Sequence, residues 1–269
     1  MNNLFLRSVT GLLFISLIIG SVLWNETAVA IVFGGFMLLG VHEFTGLVNR
    51  ETSYSVQRWW TLIVAALAFG GFAAVFSGLL SDKFLFLLVP VAGFSLVSSL
   101  FRKSDTPLQN TSLAFFSWIY ILVPFLMVLH ISFRETNPWE LIGMFAVIWT
   151  NDTMAYATGR LLGRTKLFER ISPKKTWEGT VGGIVFALAA GILWAMYLSE
   201  LPMEFWLVCS PLIAAAAIFG DLFESQLKRQ IGVKDSGTIL PGHGGILDRF
   251  DASLLAIPVF YALWIVWSN

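Results

Sequence analysis

Nine stretches of about 20 mainly apolar residues, joined by polar links of which two are long, leave this chain few ways to fold. They run roughly over 5–24, 28–48, 59–80, 84–101, 112–133, 138–158, 180–199, 203–222 and 252–268. The chain is 57% hydrophobic and 13% charged, where a soluble domain carries roughly 25% charged residues. The expectation is therefore an all-α, polytopic integral membrane protein with about nine transmembrane helices. The first apolar run is not read as a signal peptide, since Asn25-Glu26-Thr27 after it lacks a small-x-small cleavage site. A single cysteine, Cys209, rules out an intrachain disulfide and a cysteine-based zinc site. Zero net charge says nothing about a nucleic-acid partner, and no basic tail or interleaved basic–aromatic patch suggests one, so none is expected.

Lysine and arginine set the expected orientation. One side of the nine-span arrangement collects Arg7, Arg50, Arg58, Arg102, Lys103, Arg160, Arg164, Lys166, Arg170, Lys174, Lys175, Lys228, Arg229, Lys234 and Arg249, and the other only Lys83 and Arg134. The rich side is expected to be cytoplasmic, with the N-terminus inside and the C-terminus outside. Residues 1–137 form an N-terminal set of about five spans. Residues 138–269 form a catalytic membrane region, with motif loops 150–179 and 221–251 on the cytoplasmic face. The expected location is the cell (inner or plasma) membrane, multi-pass, in contact with the lipid bilayer.

Polar chemistry is concentrated in a few places. In Asp221-Leu-Phe-Glu224-Ser225-Gln-Leu-Lys228-Arg229, residues 221, 224, 225 and 228 fall on one helical face. A carboxylate with a hydroxyl one turn on offers the hard oxygens that Mg²⁺ takes. The plainer alternative is a solvated helix end with a Glu224–Lys228 or Glu224–Arg229 pair. In Pro241-Gly-His243-Gly-Gly-Ile-Leu-Asp248-Arg249-Phe-Asp251, Gly244 and Gly245 leave room for backbone N–H groups to approach phosphate. Asp248 and Asp251 fit either a site or a helix N-terminus favoured by the dipole. In Ser172-Pro-Lys174-Lys175-Thr176-Trp177-Glu178-Gly179, adjacent lysines and hydroxyls suit a polyphosphate, and Ser172-Pro173 looks like a helix start. Juxtamembrane lysines also serve as topology signals or anionic-lipid contacts. Asn151-Asp152 with Tyr156, and more weakly His42-Glu43, place polar groups inside spans, where function and helix-to-helix hydrogen bonding compete as explanations. A G-x-x-x-x-G-K-[ST] phosphate loop, an H-E-x-x-H pair and a G-x-S-x-G elbow are all missing from the sequence.

Ser225, Lys228-Arg229, Lys234-Asp235, Pro241, His243-Gly244-Gly245, Asp248-Arg249 and Asp251 together resemble the signature of the phosphatidate cytidylyltransferases, or CDP-diglyceride synthetases. The Ser-Pro-Lys-Lys-Thr-Trp-Glu-Gly block and Asn151-Asp152 through Arg160 are similar to that family too. The likeness is explicit over about 150–251; before residue 140 it rests on hydropathy. It implies that CTP and phosphatidate give CDP-diacylglycerol and pyrophosphate, with Mg²⁺ and with or without a second cation. By that resemblance Asp221, Asp248, Lys228, Arg229, Arg249 and Asp251 are catalytic, and Asp221, Asp248, Ser225 and Asp251 are metal ligands. Ser172, Lys174, Lys175, Thr176, Asn151, Asp152, Lys234, Asp235, His243, Gly244 and Gly245 would bind the nucleotide. A homodimer is left open. The alternatives are another CTP-dependent lipid-phosphate cytidylyltransferase, a polyprenol-type kinase or, further off, a cation-coupled transporter using Glu43, Asp152 and Asp221.

Overall fold

The computed structural model describes residues 3–135, 137–237, 239 and 244–268, with side chains from Val9 onward. His243 and Pro241 lie outside the described residues. The chain forms two compact units: residues 1–134 with 235–249, and residues 135–234 with 250–269.

The first unit holds α1 (Asn3–Trp24), α2 (Glu26–Glu51) and α3 (Arg58–Phe76). A 3-10 turn (Asp82–Leu87) then leads into α4 (Leu88–Leu100). Next, α5 (Pro107–Ser117) passes through a π-helical turn (Trp118–Leu122) into α6 (Val123–Arg134). Helix α2 is the centre of this unit. Asn25 starts it by accepting the Ala28 N–H at 2.8 Å, and Glu26 in the first turn suits the dipole. Phe33, Met37, Val41 and Phe44 along α2 are fully buried, one turn apart, as a helix surrounded by neighbours requires. Where α2 crosses the π turn, a Cβ on Gly40 would stand 3.2 Å from the Ile121 side chain.

The second unit contains α7 (Pro138–Leu162), a hairpin of β1 (Lys166–Phe168) and β2 (Ser172–Thr176), α8 (Trp177–Tyr197), α9 (Met203–Ile231) and α11 (Ser253–Trp267). The short α10 (Leu247–Phe250) runs from one unit into the other. Asn137 caps α7 through the Trp139 N–H at 3.1 Å, with Pro138 in the first turn where its missing N–H costs nothing. Helices α7 and α8 meet on small residues. A Cβ on Gly179 would lie 2.7 Å from the Ala155 carbonyl, and one on Gly183 would lie 2.7 Å from Asn151 Oδ1. Backbones approach this closely only without side chains between them. At the other end of α7, buried Glu140 accepts the Glu200 N–H at 2.7 Å and the Ser199 hydroxyl at 2.8 Å, tying down the α8–α9 link.

The fold is all-α and polytopic. Each of the nine apolar intervals overlaps a helix or a continuous helical run. Among the described residues, six runs are long and apolar enough to cross a membrane: α2, α3, 82–100, 107–134, α8 and α9. The described part of α1 and the whole of α11 are shorter apolar helices, and α7 carries Glu140, Asp152 and Arg160. One local expectation is corrected. Ser172-Pro173 does not start a helix: Ser172–Thr176 is a strand antiparallel to β1, with Lys166 opposite Thr176. The α8 cap is Thr176, whose hydroxyl accepts the Gly179 N–H at 3.2 Å. An extended φ/ψ region is open to proline at a strand edge, so Ser-Pro suits this hairpin as well as a helix start.

Candidate functional site

In the second unit the polar residues of α7, β2 and α9 converge. Helix α9 continues unbroken from its apolar half into Asp221–Ile231 and ends at Gly232, whose φ of +84° is the left-handed cap that glycine adopts without strain. Asp221 and Ser225 are one turn apart, and the Ser225 hydroxyl donates to Asp221 Oδ1 at 3.2 Å. Lys175, at the end of the hairpin, reaches across to Asp221 Oδ2 at 2.7 Å and donates to the Ile218 carbonyl at 3.2 Å. The pair is about one-quarter to one-third exposed. That leaves the ammonium held but reachable by a ligand.

The Glu224–Lys228 pair forms, at 3.2 Å, but it is buried rather than solvated. Asp152, on α7, lies within electrostatic range of Asp221 and Lys175. Its neighbour Asn151 donates to Asp152 Oδ1 at 3.3 Å, and the Asn151 carbonyl oxygen is buried without a hydrogen-bond partner. Asp251 accepts the Ala252 N–H at 2.7 Å. Burial, then the carboxylates of Glu224, Asp221 and Asp152, push its carboxyl well above the usual carboxylate range. Four carboxyl groups (152, 221, 224, 251) thus share this region with two ammonium groups (175, 228), and burial beside the other three favours the neutral form of Asp251.

That donor set suits a divalent cation. Asp221 and Ser225 offer hard oxygens, while the Asn151 carbonyl oxygen is packed against α8 at Gly183. Among the described residues no three His, Cys, Asp or Glu side chains already form a cage for an ion.

The glycine-rich segment has its own arrangement inside the first unit. Asp248 is buried, and its Oδ2 accepts the backbone N–H groups of Ser236 at 2.9 Å and Gly245 at 2.8 Å. Glu43 of α2, also buried, accepts the Leu247 N–H at 3.0 Å across 204 positions of sequence. The glycines fit against these acids: a Cβ on Gly245 would fall 2.5 Å from Glu43 Oε2, and one on Gly244 would fall 2.5 Å from Asp248 Oδ2. What lies close to these glycines is protein carboxylate. The Gly245 N–H points to Asp248.

Lys174, Arg229, Lys234, Asp235 and Arg249 are exposed, with Arg229 donating to the Val233 carbonyl at 3.2 Å. Ser172 is partly buried in β2, and Thr176 serves as the α8 cap. Sequence reasoning assigned no task to Glu178. Its carboxylate accepts the Arg164 and Thr165 N–H groups, both at 3.1 Å, and so ties the α7–β1 turn to α8. A small open pocket in the first unit, near Trp60, Ser99, Arg102 and Asn110, contains none of the predicted residues.

Together these features define an integral membrane protein with a polar carboxylate–lysine cluster at the end of its α9 span. The chain belongs to the cytidylyltransferase family, whose sequence model matches residues 5–267. It is similar to proteins named phosphatidate cytidylyltransferase in three bacteria. Identity is 32% with that of Rickettsia felis, over 67% of this chain and 82% of the relative. It is 43% with that of Bacillus subtilis, over 51% and 53% respectively. For a Staphylococcus epidermidis protein it is 46%, over 45% and 47%. The matched stretch is thus about half the length of the last two.

Proposed function

We propose that the chain is a phosphatidate cytidylyltransferase, converting CTP and phosphatidate to CDP-diacylglycerol and pyrophosphate in phospholipid synthesis. The structural observation that carries this reading is the Lys175–Asp221–Ser225 constellation, in which a phosphate-seeking cation and hard metal donors meet. Membership of the family, matched over nearly the whole chain, supports it.

In this reaction a phosphatidate phosphate oxygen attacks the α-phosphorus of CTP, the bond from that phosphorus to the bridging oxygen breaks, and pyrophosphate leaves. The nucleophile is already anionic, so no strong general base is needed, and catalysis reduces to alignment and charge neutralisation. Lys175, with Lys174, Lys228 and Arg229, offsets phosphate charge. Asp221 orients the Lys175 ammonium and, with Ser225 and Asp251, would hold Mg²⁺. A bound magnesium ion would supply Lewis-acid neutralisation of the phosphate oxygens. Asp152 and Asn151 border the same ligand space. The site faces the cytoplasm, where CTP is available, in an inner or plasma membrane with the N-terminus inside.

The test is to incubate purified protein with phosphatidate and CTP labelled at the α- or the γ-phosphorus. Label from the α position should enter a lipid product with the mass of CDP-diacylglycerol, with none from the γ position. Transfer of γ-label instead would make the chain a lipid kinase. No labelled lipid from either nucleotide would reject the proposal.

A further inference from the structure

Glu43 sits two-thirds of the way along α2, inside a span, far in sequence from every motif residue. A carboxylate buried in an apolar helix bundle is costly unless its hydrogen bonds are made. Most of the groups around this one belong to one short segment. Its Oε2 accepts the Leu247 N–H, while Gly237 and Gly245 lack the side chains that would collide with it. Ser236, whose hydroxyl is also buried, is held by its N–H to Asp248. Asp248 therefore braces the segment from within, and Glu43 braces it from the scaffold.

We propose that Glu43 is a positioning residue for the motif segment that carries Asp235 and Asp248-Arg249. It fixes the backbone at Leu247 and, through the close seats of Gly237 and Gly245, the conformation in which that segment meets the nucleotide. The proposal deepens the cytidylyltransferase reading and rests on it for the kinetic part alone. The acceptor that the geometry uses is one carboxylate oxygen, Oε2, on a side chain of this length. Glutamine retains one acceptor at the same reach, and alanine retains none.

The experiment compares Glu43→Ala and Glu43→Gln with the parent in lipid nanodiscs, by amide hydrogen exchange and by kinetics with CTP and phosphatidate varied separately. Expected is faster exchange at Ser236, Gly245 and Leu247 in Glu43→Ala, with the amides of α3 and α6 unchanged. The apparent KM for CTP should rise about tenfold, as for loss of a hydrogen bond to a charged group. The KM for phosphatidate should stay within about twofold, and Glu43→Gln should fall between parent and alanine variant. Unchanged exchange in the segment overturns the proposal, as does an equal rise in both KM values. If neither variant folds, Glu43 is a folding residue and the proposal fails. If the parent does not turn over CTP with phosphatidate, the proposed function fails, while the exchange comparison still decides whether Glu43 braces the segment.

Discussion

Lys175 Nζ stands 2.7 Å from Asp221 Oδ2, joining the hairpin that precedes α8 to the polar end of α9. The contact puts a cation from one motif onto a carboxylate from another. Either member without the other leaves a partly buried charge beside three further carboxylates.

Asp221→Asn should lower turnover by about a hundredfold or more, because the amide keeps the shape but loses the charge that attracts a divalent ion. Lys175→Ala should cost less, on the order of tenfold, since other cations share the phosphate charge. Full titrations of CTP and Mg²⁺ separate the two. The Asp221 variant should need more Mg²⁺, whereas Lys175→Ala should shift the CTP dependence. If Lys175→Ala moves the Mg²⁺ curve as far as Asp221→Asn does, the division of roles is wrong.

Asp248 offers a sharper contrast, because its Oδ2 already accepts two backbone N–H groups. Asp248→Asn can keep one oxygen there but gives up charge-assisted bonds, at a cost of about 1.5–3 kcal/mol. A brace alone predicts lower thermal stability with an unaltered Mg²⁺ requirement. A metal ligand predicts a raised Mg²⁺ requirement as well, and melting curves measured beside the titration decide between the two.

Gly179→Ala should destabilise the second unit by about 1–3 kcal/mol, since its Cβ would sit 2.7 Å from the Ala155 carbonyl and helices α7 and α8 would have to separate. Gly70→Ala, where the added Cβ meets nothing within 4 Å, is the control and should melt like the parent. Thermal unfolding in detergent checks both.

The charge asymmetry of the loops predicts that a tag after Asn269 lies outside the cell. A membrane-impermeant thiol reagent should label a cysteine in that tag in intact cells. Labelling only after the cells are opened would reverse the orientation.

Hydropathy alone made the helical, membrane-spanning class legible, because a bilayer accepts few backbone solutions and imposes a length of about 20 residues on each. That Asp221 needs partners was equally readable, since charge placed beside hydrocarbon needs a reason, and it has them in Lys175 and Ser225. What the sequence could not show was which of these groups meet. The Lys175–Asp221 contact depends on a two-stranded hairpin that Ser-Pro does not announce, and the Glu43–Leu247 bond spans 204 positions with no periodic signal linking its ends. Glycines 244 and 245 show the same division: their spacing told of a close approach, and only packing revealed that Asp248 and Glu43 are what approaches. Local patterns follow from solvent and backbone chemistry, whereas partners across the fold are selected by helix packing, which couples residues without regard to their distance along the chain.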